Sequence, residues 1–220
     1  MVCTDRSVHM TTQTHPQPSR VRNGRATREA IVLAAKRLMC VRGYKGTSLD
    51  DVLRESGVGK GNFYYYFKSK EDLGYAILDE VIVAFLERTL APCFADRESS
   101  RLAQIRCFLG RLIEAQRERN GVGGCPLGTL ASELSDVHEG FRARLADVFA
   151  TWSKRLTLAL SEARERGEVN DECRPEAIAR FIVASLEGAF LLTKVKKDIA
   201  VMEQCVEELG RYLELYERRS

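Results

Sequence analysis

Residues 57–73 of the chain read GVGKGNFYYYFKSKEDL, in which three adjacent tyrosines lie between two phenylalanines and lysines stand on either side. Before this stretch, residues 49–56 favour a short helix, because Thr47 and Ser48 can cap its first turn. The glycines that follow interrupt that helix, and a second short helix is predicted over about residues 60–67. Two short helices joined by a glycine-bearing turn are typical of a helix-turn-helix, whose second helix enters the DNA major groove.

The second of these helices has two chemically different faces. At about 100° per residue, Phe63 and Phe67 fall one turn apart and are expected to fill the core of a three-helix unit. The opposite face carries side chains that could hydrogen-bond to phosphates or touch bases, namely Gly61, Asn62 and Tyr65, flanked by Tyr64 and Tyr66. The glycine allows a close approach of the backbone, and the helix N-terminus attracts a phosphate.

Charge is distributed unevenly along the chain. Residues 20–70 hold 12 Lys and Arg against 4 Asp and Glu, a net charge of +8, whereas residues 71–220 hold 21 against 26, a net charge of −5. A basic N-terminal part is expected to meet a polyanion, although a solvated basic face would give the same composition. The cations expected to neutralise phosphates are Arg20, Arg22, Arg25, Arg28, Lys60 and Lys70.

The rest of the chain shows helical periodicity and no alternation typical of strands, so the fold is predicted to be all-α with about nine helices. Pro126 and Pro175 are each expected in the first turn of a helix, where a missing amide costs nothing. The predicted parts are a flexible tail over residues 1–20, a DNA-binding helix-turn-helix domain over 21–70 with its motif at about 48–67, and a larger helical domain for effector binding and dimerisation over 71–220.

Composition limits the location and the chemistry of the protein. Seven cysteines, odd in number and never spaced as C-x-x-C, argue against a disulfide framework or a zinc site and fit reduced thiols. The absence of a long uncharged apolar run predicts no transmembrane helix, and the first residues lack the apolar core of a secretory signal. We therefore expect a cytoplasmic protein with no metal or cofactor.

An enzymatic function finds no support in the motifs. The glycines of GVGKGN are spaced G-x-G-x-G and follow a helix, whereas the dinucleotide-binding fingerprint needs G-x-G-x-x-G after a strand. No nucleophile–base pair, metal-ligand spacing or paired carboxylates stand out elsewhere in the sequence. The sequence therefore predicts a protein that is not an enzyme.

The stretches REAIVLAAKRLMCVRGYKGTS and DVLRESGVGKGNFYYYFKSKEDL resemble the DNA-binding domain of the TetR family of bacterial transcriptional regulators. The resemblance implies operator contacts at Thr47 or Ser48, Lys60, Gly61, Asn62, Tyr64, Tyr65 and Lys70, to which the charge pattern adds Arg25. One departure is Gly59, where the family often has a serine or threonine that caps the third helix and binds a phosphate.

For the C-terminal domain the resemblance implies a homodimer on a palindromic operator and a pocket for a small-molecule effector. Helices eight and nine form the dimer interface in that family, which points here to Phe181, Ser185, Gly188, Leu192, Leu209 and Leu213. The resemblance places an effector pocket between helices four and seven. Its candidate lining residues, which plain core packing would also explain, are Phe85, Phe108, Leu112, Cys125, Leu127, Phe149, Trp152 and Phe181.

The segment GVGGCPLGTLASELSD resembles a subgroup of the family with a Gly-Cys-Pro motif at the start of helix six. Some members of that subgroup regulate reductase genes and sense electrophiles, aldehydes or acrylate-like compounds. A thiol at a helix N-terminus is expected to have a lowered pKa, although Cys125 could simply cap the helix. The sequence thus predicts a repressor that a small molecule releases from DNA, with an electrophile-responsive regulator acting through Cys125 as the alternative.

Overall fold

The computed structural model describes residues 20–96, 98–119, 121 and 123–218, with the side chains of 20–23 left aside. These residues form nine α-helices, and β-type pairing within them is confined to one bridge between Val169 and Glu217. The helices are α1 (Arg20–Arg42), α2 (Leu49–Ser56), α3 (Lys60–Tyr66), α4 (Lys70–Ala84), α5 (Arg101–Arg117), α6 (Pro126–Leu134), α7 (Glu139–Glu165), α8 (Pro175–Lys196) and α9 (Ala200–Glu214). The all-α prediction is confirmed. Arg20, the last residue of the predicted tail, is helical, and the rest of that tail lies outside the described residues.

Local sequence sets the boundaries of the two helix-turn-helix elements, α2 and α3. The Ser48 hydroxyl accepts a hydrogen bond from the Asp51 amide, and the Asp51 carboxylate accepts one from the Ser48 amide, each at 3.1 Å. This reciprocal pair is a capping box, which fixes the start of α2. Gly57 ends α2 with a φ of 66°, a left-handed conformation that glycine adopts without strain.

The connection between α4 and α5 begins with two short helical segments that are not α-helix. After Ala84 the chain continues as a π-helix over Phe85–Leu90 and a 3₁₀ turn over Ala91–Phe94. Pro92 has no amide hydrogen and cannot continue a regular helix, so the chain turns there. Segments of π-helix occur frequently at functional sites, and residues of this one line a cavity described below.

A disulfide joins Cys93 of the 3₁₀ turn to Cys107 of α5, whose Cα atoms lie 5.6 Å apart. The expectation that all cysteines are reduced is therefore wrong for this pair. The two cysteines are 14 positions apart in sequence, and the bond ties the 3₁₀ turn to α5. Among the described residues, Cys40, Cys125, Cys173 and Cys205 are free.

Two hydrophobic cores hold the helices together. The first core combines α1–α4 with α6 and the first half of α7, and includes Phe63, Phe67, Leu130 and Phe141. The second core combines α5, the rest of α7, α8 and α9, around Trp152 and its neighbours. The core that supports the helix-turn-helix thus extends beyond residue 70 into α6 and α7.

Candidate DNA-binding surface and effector cavity

Helix α3 presents the polar and aromatic face that its sequence predicts. Phe63 is fully buried and Phe67 is 2% exposed, whereas Tyr65 is 80% exposed and Tyr64 is 49% exposed. Lys60, Gly61 and Asn62 are also exposed. No atom lies within 4 Å of a Cβ built on Gly61, so its backbone is open to a close approach. This face can therefore offer tyrosine hydroxyls, an amide and an ammonium to one ligand surface.

Thr47 does not belong to that surface. It is fully buried, and its hydroxyl donates a 2.8 Å hydrogen bond to the carbonyl oxygen of Gly43. This corrects the expectation that Thr47 contacts DNA, because the side chain closes the turn between α1 and α2. Ser48 remains exposed at the N-terminus of α2, although its hydroxyl also serves as the helix cap.

Two further cations expected at DNA, Lys70 and Arg25, differ in how far their charge is available to a partner. Lys70 is half-buried, and its Nζ donates a 2.7 Å hydrogen bond to the Tyr44 carbonyl oxygen and lies 4.3 Å from the centre of the Tyr44 ring. Burial lowers the pKa of Lys70. Its first role is to attach α4 to the α1–α2 turn, which sequence reasoning missed. Arg25 is exposed on α1 and pairs with Glu29 at 2.8 Å.

A cavity of about 560 Å³ lies between α4 with its π-helix, α5, α6, α7 and α8. Five of the eight residues predicted for an effector pocket line it, namely Phe85, Leu112, Cys125, Leu127 and Trp152. The Trp152 ring is 1% exposed, and its Nε1 is buried without a hydrogen-bond partner. The cavity thus has an aromatic wall that includes Trp152 and Phe85.

Three of the predicted pocket residues lie elsewhere. Phe108 is fully buried behind the cavity wall, with its ring centre 5.7 Å from that of Trp152. Phe149 stacks on Trp152, with ring centres 6.0 Å apart. Phe181 is 48% exposed and packs against Tyr212 of α9, away from the cavity. Helical periodicity places these residues on apolar helix faces. It cannot show which of those side chains pack in a core and which line a cavity.

Sequence reasoning also missed charged residues in the lining. Arg88 of the π-helix and Arg111 of α5 line the cavity together with Glu114 and Glu118. The Arg111 guanidinium donates to the Arg88 carbonyl oxygen at 3.2 Å, which joins the π-helix to α5. No motif marks these residues, because they follow no hydrophobic pattern and their position depends on the π-helix.

Cys125 is the N-cap of α6, and its sulfur accepts a hydrogen bond from the Gly128 amide at 3.4 Å. The helix position is as predicted, but the expected lowering of its pKa is wrong. Burial raises the pKa of the Cys125 thiol far above its usual range, and the carboxylate of Glu187 on α8 adds to that effect. One hydrogen bond and the helix dipole do not offset the loss of water and the nearby negative charge.

Comparisons with known proteins agree with this architecture. Residues 31–77 match "Bacterial regulatory proteins, tetR family", and residues 102–209 match "Tetracyclin repressor-like, C-terminal domain". An uncharacterized HTH-type transcriptional regulator of Lactococcus lactis is 35% identical over 83% of this chain and 91% of its own. The chain belongs to the TetR family. It is thus a helix-turn-helix transcriptional regulator and not an enzyme.

Other TetR-family relatives cover most of the chain as well. The transcriptional regulator AcuR of Cereibacter sphaeroides is 30% identical, with 84% of each chain covered. A TetR transcriptional regulator from Chloroflexus aurantiacus of known crystal structure is 30% identical and superposes with a TM-score of 0.80, covering 90% of this chain and all of that one. No helix within the described ranges is long and apolar enough to span a membrane.

The residues predicted for the TetR-type dimer interface divide into two groups. Phe181 and Leu192 are about half exposed, Ser185 is partly exposed and Gly188 is exposed, all on one face of α8. That face also exposes Leu191 and Val195. In contrast, Leu209 and Leu213 are 4% and 1% exposed and belong to the second core. Their side chains pack within this chain, which corrects their assignment to the interface.

Proposed function

We propose that this TetR-family chain is a homodimeric repressor that leaves a palindromic operator when a small molecule enters the 560 Å³ cavity. The observation that carries the proposal is the position of α4. Its N-terminus follows the helix-turn-helix directly, and Val81 and Ala84 at its C-terminal end line the cavity together with Phe85 of the π-helix. A ligand that displaces this part of α4 would change the placement of α3.

The repressor sense of the proposal is supported by relatives that are named as repressors. The HTH-type transcriptional repressor DhaR of a Mycobacterium species is 28% identical over 80% of this chain, and the repressor NemR of Escherichia coli is 26% identical over 82%. A repressor acts on DNA inside the cell, so we propose a cytoplasmic location.

The proposed operator contacts are Arg25, Ser48, Lys60, Gly61, Asn62, Tyr64 and Tyr65, all of which are exposed. Lys70 would add a phosphate contact only with the part of its ammonium that the Tyr44 carbonyl leaves free. Since each subunit reads one half-site, the two α3 helices of a dimer must be about 34–36 Å apart.

The proposed dimer forms through the exposed apolar face of α8. Gly188 lies within this face, and a Cβ built there meets no atom of the chain within 4 Å. Replacing Gly188 by Leu should therefore leave the monomer fold intact while it separates the two α8 helices. Sedimentation should show a dimer for the wild type and monomer for Gly188→Leu, and a wild-type monomer at micromolar concentration would refute this assembly.

The effector hypothesis can be tested without knowledge of the natural ligand. DNA sequences retained by the full chain from a random duplex library would supply an operator. A library of small aromatic compounds would then be screened for release of that operator and for quenching of Trp152, the single tryptophan of the chain. Phe190 also lines the cavity, and Phe190→Ala should weaken release by any active compound. Release that is insensitive to changes in the cavity wall would contradict the proposal.

The electrophile-responsive alternative has lost its main argument. A thiol whose pKa is raised holds little thiolate at neutral pH, and thiolate is the form that attacks electrophiles. Reversible binding in the cavity is therefore the favoured mode of release.

A further inference from the structure

The turn between α1 and α2 determines where the helix-turn-helix lies, because Ser48 at its end is the cap of α2. The chain enters this turn through Gly43, which has a φ of 77°. Within the turn, the Thr47 hydroxyl binds the Gly43 carbonyl oxygen, and Lys70 binds the carbonyl oxygen of Tyr44. The carbonyl groups of the turn are thus held by its own threonine and by α4.

The amide groups of the same turn are held by a residue of the C-terminal domain. One carboxylate oxygen of Glu133 on α6 accepts a hydrogen bond from the Tyr44 amide at 3.3 Å, and the other accepts one from the Lys45 amide at 2.7 Å. Successive backbone amides that converge on one anion form a compact binding concavity. The fit is close, since a side chain at Gly43 would overlap the Glu133 carboxylate.

The other end of α6 meets the effector cavity. Cys125, Pro126 and Leu127 line that cavity, and Glu133 lies two turns further along the same helix, about 9–11 Å away at 1.5 Å per residue. Between these ends, Pro126 and Leu130 line a second, mostly apolar cavity of about 310 Å³ together with residues of α1 and α4. Space on this side lets α6 shift without immediate collision.

The apolar and polar contacts of α6 respond differently to such a shift. Leu127, Leu130 and Leu134 pack into the first core, and apolar contacts are non-directional and tolerate sliding. Hydrogen bonds weaken steeply when their distance or angle changes. If α6 shifts, the α1–α2 turn must therefore move with the Glu133 carboxylate, or the two hydrogen bonds from the Tyr44 and Lys45 amides are lost.

We infer that Glu133 is a positioning residue that transmits occupancy of the cavity, through α6, to the α1–α2 turn and the DNA-binding helices. The inference rests on the proposed function and adds a route that does not pass along α4. In the arrangement described here, Glu133 holds the turn through the Tyr44 and Lys45 amides. A ligand that displaces the first turn of α6 would move the carboxylate and with it the start of α2.

Allosteric coupling is reciprocal, so a bound operator must also affect the cavity. This allows a test with DNA alone, using the duplex selected by the full chain and the emission of Trp152 in the cavity wall. Glu133→Ala removes both acceptors, and Glu133→Gln keeps the shape and one of them. Asp136→Asn is the matched control, because it removes an exposed carboxylate just beyond α6 that takes part in no amide contact of the turn.

At saturating operator, the emission of Trp152 should shift equally in the wild type and in Asp136→Asn. The shift should be smaller than in the wild type in Glu133→Gln and smaller still in Glu133→Ala, where only the α4 route remains, while circular dichroism shows unchanged helicity. Should Glu133→Ala fail to fold, the reduced shift in Glu133→Gln carries the test. Exchange of the Tyr44 and Lys45 amide hydrogens should accelerate in the same variants, because these amides lose their acceptor.

Three results would overturn the inference. The first is a full Trp152 shift in both Glu133 variants with DNA bound, which would show coupling by another route. The second is a wild-type protein that binds the selected DNA with no change at Trp152. The third is the recovery of no DNA sequence by the full chain, which alone would also overturn the proposed function.

Discussion

The face of α3 and the wall of the cavity are both rich in aromatic side chains, yet they use them in opposite ways. On α3, Tyr65 is 80% exposed, whereas in the cavity Trp152 is 1% exposed and has a free indole N–H. The tyrosine side chains of α3 are largely in water, so this face is available to a large anionic partner. The cavity wall is part of the second core and admits only a small molecule. Aromatic content alone thus does not distinguish a DNA-binding surface from a ligand site, but exposure does.

The largest expected effect concerns salt. If the α3 face and the basic residues around it form about 6–10 phosphate contacts, operator affinity should fall about 10³–10⁵-fold between about 50 and 200 mM salt. Binding of a neutral aromatic probe in the cavity should hardly change over the same range, because little charge is neutralised there. Fluorescence anisotropy titrations would measure both, and a flat salt dependence for DNA would refute the electrostatic account of α3.

The next effect separates the two sides of α3. Phe63→Ala should destabilise the protein by about 3–5 kcal/mol, because the fully buried ring leaves a cavity in the first core. Tyr65→Ala should change stability by no more than about 0.5 kcal/mol, since its side chain is mostly in water. Urea denaturation followed by circular dichroism would test both variants. Equal losses would mean that the two faces of α3 are wrongly assigned.

A smaller effect is expected on DNA binding from the exposed side of α3. The double variant Asn62→Ala, Tyr65→Ala should lose hydrogen bonds to charged phosphates, which corresponds to about a 10–100-fold loss of operator affinity. Its melting temperature should stay close to that of the wild type. Operator affinity unchanged within error would remove these two residues from the proposed contacts.

Gly61 provides a test in which stability and DNA binding change in opposite directions. Gly61→Ala should stabilise α3 by up to about 1 kcal/mol, since alanine favours a helix and the added methyl meets no neighbour. The same methyl should weaken operator binding if the backbone approaches DNA closely at this position. Thermal melting and an operator titration on one protein sample would show both changes, and tighter DNA binding would contradict the proposed approach.

The smallest effect is expected at Cys125. Because burial raises the pKa of its thiol, a maleimide should modify it more slowly at neutral pH than it modifies an ordinary cysteine, and the rate should rise with pH as thiolate forms. Mass spectrometry of the adducts would give the order of reaction. Cys125→Ser should bind the operator as the wild type does. Preferential modification of Cys125 at pH 7 would restore the electrophile-responsive alternative.

The DNA-binding surface could be predicted closely, because the sequence features that define it lie next to one another in the chain. The α2 boundaries, the burial of Phe63 and the exposure of Tyr65 all follow from caps, glycines and helical period. Thr47 is the instructive exception. A threonine beside a serine at a helix start looks like a second cap, and only the path of the turn after Gly43 shows that its hydroxyl points back to that carbonyl.

The cavity could be predicted only in part, because its lining depends on how distant helices meet. Phe85 and Phe108 each belong to a helical pattern of apolar residues in their own segment, yet only Phe85 lines the cavity. Leu209 and Leu213 illustrate the same problem on α9. Helical periodicity identifies an apolar face there, but it does not show whether that face packs within the chain or against a second subunit. Glu133 and Lys70 carry no local signal at all, since their partners are backbone groups of a turn far away in sequence.

Helix α7 runs for 27 residues and belongs to both cores, with Phe141 in the first and Trp152 in the second. The hydrophobic core beneath the DNA-binding helices α1–α4 therefore includes side chains from α6 and α7. A fragment cut after residue 84 would leave bare the apolar surfaces that α6 and α7 cover, and would tend to aggregate. A chimera that receives the DNA-binding domain of this protein should accordingly receive α6 and the first half of α7 together with α1–α4.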